Sequence, residues 1–143
     1  MIGTLTRLSS KVKSYMKNNP IVEEWLELAE SDLAFAKTGF ESDDFYHLIC
    51  FHCQQSIEKI LKAYLVDQEI KFPKVHDLIQ LNKLCSEADV SFENFNKDLK
   101  YLNTFYIETR YAGGFFQSIT KVDAQKAIES AIQILNFVKE KLK

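Results

Sequence analysis

A chain of 143 residues, 46% hydrophobic and 27% charged, has the size and balance of one ordinary globular domain with a substantial core. Four Gly and two Pro are too few for an all-β fold with many tight turns, and a net charge of −2 gives no overall attraction to nucleic acid or membrane surfaces. Three Cys with no secretory signal, and no apolar run near the roughly 20 residues that span a bilayer, lead us to expect a cytoplasmic protein without membrane contact. All but two of the 18 basic residues are Lys; Arg, the better bidentate phosphate ligand, stands only at Arg7 and Arg110.

Residues 1–18 are weakly amphipathic and read as an arm or a short extra helix; residues 19–143 read as one helical domain. Asn19-Pro20 opens the first clear helix, with Asn as cap and Pro at the first helical position. Val22, Trp25, Leu26, Ala29, Leu33, Ala36 and Phe40 repeat at helical spacing, Asp32 lies at the edge of that stripe, and Gly39 is the expected stop. Ser42, Asp43 and Asp44 are expected to open a second and longest helix, Asp43 to Asp67. There Tyr46, Ile49, Cys50, Cys53, Ile57, Ile60, Leu61 and Tyr64 form an apolar stripe. Two polar ridges lie opposite, one of Gln54, Glu58 and Lys62 and one of His52, Gln55 and Lys59, free to face a ligand or partner.

Pro73 makes the segment before it extended, and a short helix follows over His76 to Cys85. A fourth helix is expected from Ser91 or Phe92 to Arg110, then a break at Gly113-Gly114. Thr120 and Asp123 have capping-box spacing for a last helix carrying Ala124, Ala127, Ile128, Ala131, Leu135, Val138 and Leu142. Short connections between amphipathic helices predict an all-α, antiparallel up-and-down bundle of four to five helices.

Cys50 and Cys53 form a CxxC, but both point into the apolar stripe while His47 and His52 point away, so they read as core thiols rather than zinc ligands. No cofactor is expected. Either His76 or Asp77 caps the short helix, or His76 is held against a polar group of the central helix. Arg110 is four residues after Tyr106, in line with Phe92 and Leu99. An arginine on an apolar ridge is paired or opens into a cleft, because an unpaired buried charge is costly. Asp32 and Glu58 are its nearest partners by pattern, making a structural clamp; the other reading is a phosphate contact at the mouth of the bundle. No Gly-rich phosphate loop, nucleophile elbow or HExxH occurs.

Together these landmarks resemble the HEPN family (higher eukaryotes and prokaryotes nucleotide-binding domain). They are Trp25…Ala29…Asp32-Leu33…Ala36, then Phe51-His52-Cys53-Gln54-Gln55-Ser56-Ile57-Glu58-Lys59…Leu61-Lys62-Ala63, then His76-Asp77-Leu78, and Tyr106…Thr109-Arg110-Tyr111. The resemblance covers about residues 20–140 and implies a helical bundle, often a homodimer, that partners minimal nucleotidyltransferases in toxin–antitoxin-like systems. Many relatives are metal-independent ribonucleases marked by R-x(4–6)-H. Here Phe115, Phe116 and Gln117 fill the histidine slots after Arg110, and Val12, Lys13 and Ser14 those after Arg7. Ala112 also stands where the related branch usually has Pro.

The expectation is therefore a non-catalytic module, with no catalytic residue assigned. It would bind a nucleotide or a nucleotidyltransferase through His52, Gln55, Lys59, His76, Tyr106, Arg110 and Tyr111, with Asp32, Glu58 and Asp77 as clamps. A ribonuclease-like toxin with a non-standard site, for which RNA is the ligand, and a purely structural dimerising bundle are the alternatives.

Overall fold

The computed structural model describes residues 19–106 and 118–143. Among these the elements are α1 (Pro20–Phe40), α2 (Tyr46–Asp67), α3 (Leu78–Ala88), a 3-10 helix (Val90–Phe95), α4 (Asn96–Asn103) and α5 (Lys121–Leu142), with no strand. The all-α bundle expected from periodicity is present. None of these helices is long and apolar enough to cross a membrane.

The outer boundaries follow local chemistry. Asn19 Oδ1 accepts from the Ile21 amide at 2.8 Å, with Pro20 at the helix start. Thr120 and Asp123 close a reciprocal capping box on α5. Asp77 caps α3, accepting from the Ile79 and Gln80 amides at 2.9 and 3.4 Å. Asp77→Ala is expected to cost about 1 kcal/mol in a urea unfolding titration, the usual loss for removing such a cap.

Four of the expected helices have corrected boundaries. First, α1 runs one residue past Gly39, which packs against Ile49 inside the helix. Second, Ser42, Asp43 and Asp44 do not open α2. Ser42 Oγ donates back to the Gly39 carbonyl, Asp43 accepts from the Tyr46 hydroxyl, and Asp44 accepts from the Phe45 amide. These bonds hold a turn with Asp43 and Phe45 at φ 60° and 58°, and helix geometry begins only at Tyr46. Third, the expected 91–110 helix is divided. Asp89 caps a 3-10 turn, α4 follows, and the Thr104 hydroxyl donates to the Tyr101 carbonyl at its end. Tyr106 therefore lies outside the described helices. Residues 107–110, like the arm at 1–18 and Gly113-Gly114, lie outside the described residues. The short helix is also shifted, starting at Leu78 instead of His76 and ending at Ala88.

The hub is α2. Every member of its expected apolar stripe except half-buried Tyr46 is at most 3% exposed. Ser56 Oγ donates to the Ala29 carbonyl at 2.7 Å, which ties α2 to α1 where small side chains permit close approach. α1 is antiparallel to α2, since Gly39 meets Ile49 and Ala29 meets Ser56. It is antiparallel to α5 as well, since Lys121 lies over the Phe40 ring and Lys139 pairs with Glu30. α3 and α4 complete the enclosure of α2. Cys50, Cys53 and Cys85 are all fully buried and free, and burial pushes the Cys50 and Cys85 thiols up to about 12 and the Cys53 thiol higher still. These are inert core side chains.

Candidate functional site

One expectation about α2 is overturned. The ridge of Gln54, Glu58 and Lys62 does not face outward; the three are 0%, 3% and 7% exposed. The chain after α2 folds back so that His76 lies over this ridge, and Trp25 of α1 flanks it. The other ridge, His52, Gln55 and Lys59, is half-buried. The result is a polar seam on one side of the central helix.

The buried half is built on Glu58. Its side chain is 4% exposed, and one carboxylate receives four donors. Lys62 Nζ donates at 2.9 Å, His76 Nδ1 lies 3.1 Å from both oxygens, and the Gln55 and Gln54 amides approach Oε1 at 3.3 and 3.5 Å. Lys62 also sits 5.5 Å from the Trp25 ring centroid. An ionised carboxylate only accepts, so Nδ1 of His76 carries the proton. The His76 side chain is half exposed, and its ring stacks on Tyr106 with centroids 4.6 Å apart and 16° between planes. Phe51 lies beside Tyr106 at 6.4 Å.

The outer half is built on Asp32 of α1. It accepts from His52 Nδ1 at 2.9 Å and from Lys59 Nζ at 2.5 Å. Phe35 covers the His52 ring at 4.6 Å. Burial alone would raise the Asp32 pKa, but hydrogen bonds from His52 and Lys59, with their charges, outweigh it and hold the carboxyl below 3.8. Such a depressed group stabilises the fold above its unfolded pKa, and that contribution disappears as pH falls through the folded pKa. Asp32→Asn is thus expected to cost about 1–2 kcal/mol at neutral pH. Urea titrations of both proteins at successively lower pH should show the difference closing below 3.8.

The seam thus gathers His52, Gln55, Lys59, His76 and Tyr106, with Asp32 and Glu58 as clamps. Asp77 is placed elsewhere. It caps α3 and accepts from Asn103 Nδ2, while Asn103 Oδ1 accepts from the Leu78 amide. Arg110 and Tyr111 lie outside the described residues. Asp32 and Glu58, the expected partners of Arg110, hold lysines and histidines among the described residues. Gln54, Lys62 and Trp25 were not nominated; the spacing of Gln54, Glu58 and Lys62 was visible, but their burial depends on the fold of residues 70–77. Among the described residues no three His, Cys, Asp or Glu side chains are placed to hold a metal. A groove of about 420 Å³ lies away from the seam, between α3 and α4, lined by Ile79, Lys83, Ser86, Glu93, Asn96 and Lys100.

The HEPN domain family model matches residues 22–141. The chain belongs to the HEPN domain family. Two solved structures agree with this placement. The archaeal HEPN homologue ST0689 is 31% identical with a TM-score of 0.71, the alignment covering 85% of this chain and 98% of that one. TT1696 from Thermus thermophilus is 30% identical with a TM-score of 0.71, covering 84% and 97%. No curated protein matches the chain. The matched HEPN region contains the whole seam, from Trp25 and Asp32 through Tyr106.

Proposed function

We propose that this HEPN protein is a non-catalytic module that binds a nucleotide at the seam, acting as a homodimer beside a minimal nucleotidyltransferase in a cytoplasmic, toxin–antitoxin-like system. The observation that carries the nucleotide reading is the stacked pair of His76 and Tyr106, half exposed and fixed from beneath by buried Glu58. A held aromatic surface suits a nucleobase, because every base has a π-face and the protein ring loses little freedom on binding.

The phosphate end is assigned by charge. Lys59 already shares Asp32 with His52, and Lys62 is buried on Glu58. Each lysine is thus already engaged by a carboxylate, so neither is free to take a phosphate. That task falls to Arg110, by its position in sequence just after Tyr106, with Tyr111 as a second ring. No general acid–base role is assigned to His76, whose Nδ1 is held by Glu58.

Isothermal calorimetry with ATP and other nucleotides tests this reading. Saturable heat is expected, abolished by Arg110→Ala and weakened by Tyr106→Ala. Absence of heat with every nucleotide would reject it.

A further inference from the structure

The hydrogen bonds around Gln55 run in one direction. The Gln54 amide nitrogen donates to the His76 carbonyl at 3.1 Å and lies 3.5 Å from Glu58 Oε1. Neither partner can donate in return, so the Gln54 amide has a fixed orientation and its Oε1 turns to the other side. There Gln55 Nε2 donates to it at 2.8 Å and also reaches Glu58 Oε1 at 3.3 Å. Flipping Gln55 would set its carbonyl against another carbonyl and a carboxylate. The chain from His76 through Gln54 therefore fixes Gln55 as well, and leaves Gln55 Oε1 as an acceptor on the side of the amide away from Gln54 and Glu58. Among the described residues no donor reaches that oxygen, and Gln55 is only half-buried.

This acceptor stands beside the stacking surface. Gln55 touches the carboxylate that holds His76, and it lies one helical turn from Phe51, which packs near Tyr106. A base lying against His76 and Tyr106 shares the seam with this orientation-locked acceptor. An N–H on a base edge that meets it completes a hydrogen bond. A ring nitrogen or carbonyl there meets a like-charged dipole and leaves two polar groups unpaired.

We propose that Gln55 is a specificity-determining residue, and that the seam selects nucleobases presenting an N–H donor. This rests on the nucleotide reading above.

The test compares adenosine 5′-monophosphate with purine riboside 5′-monophosphate, which keeps the sugar, phosphate and stacking ring but lacks the amine. Calorimetry on the full chain should show the adenosine compound binding about fivefold tighter, the worth of one net hydrogen bond. In Gln55→Met the two should bind alike, while circular dichroism reports an intact helical fold. Equal affinities in the unmodified protein, or discrimination that survives in Gln55→Met, overturn the assignment of Gln55 and leave the nucleotide reading standing. Failure of both compounds to bind overturns the nucleotide reading and this inference together.

Discussion

Replacing Glu58 by Gln is expected to lower the unfolding free energy by about 3 kcal/mol, the low end of the range for breaking a buried ion pair. Both partners are enclosed, with the Glu58 side chain 4% exposed and that of Lys62 9% exposed. An amide in place of the carboxylate presents only one acceptor to the donors from Lys62, His76 and Gln55. It also leaves the Lys62 charge buried without a counterion. The low end of the range applies because the remaining amide oxygen keeps one of the four interactions. Urea unfolding followed by Trp25 fluorescence reads the change, since Lys62 lies 5.5 Å from that ring. Lys62→Met in the Glu58→Gln background should recover most of the loss, because the stranded charge goes with it. A cost below about 1 kcal/mol would mean that Lys62 and Glu58 are solvated as a surface pair, for which such small values are usual.

Tyr106→Ala is expected to weaken nucleotide binding roughly tenfold or more, since stacking on an aromatic ring contributes about 1–3 kcal/mol per base. Tyr106 lies beyond α4 and is only half-buried, so its truncation spares the bundle core. His76 would keep its bond to Glu58 but lose the second ring of the platform. The two substitutions separate the parts of the seam. Glu58→Gln strikes the fold first and binding through it, whereas Tyr106→Ala strikes binding with little effect on the unfolding curve.

Most of the fold was readable because it depends on short-range signals. Asn19-Pro20 and the Thr120–Asp123 box set helix starts through bonds to neighbours two or three residues away, and the stripes of α2 and α5 repeat at helical period. The misreadings fall where a local signal had two outlets. Ser42, Asp43 and Asp44 are good capping residues, yet their side chains satisfy a left-handed turn before α2. The residues after Asp89 have helical spacing, yet Asp89 draws them first into a 3-10 turn.

The candidate site was half readable. His52, Gln55, Lys59, His76 and Tyr106 do converge, and His76 does meet a polar group of the central helix. The pairing itself was not readable. The bonds of Asp32 to His52 and Lys59 are set by how α1 packs on α2, and that of Glu58 to His76 by how the loop after α2 returns, partners 18 to 27 residues apart in sequence. The same return buries Gln54 and Lys62, which helical spacing alone places on an open surface.

We propose that the His76–Tyr106 platform receives a nucleotide. Calorimetric titration of ATP into the unmodified protein and into Tyr106→Ala tests it most directly. Saturable heat is expected for the first and at least a tenfold weaker affinity for the second, with matching urea unfolding curves. No heat with the unmodified protein, or equal affinity in the variant, would contradict it.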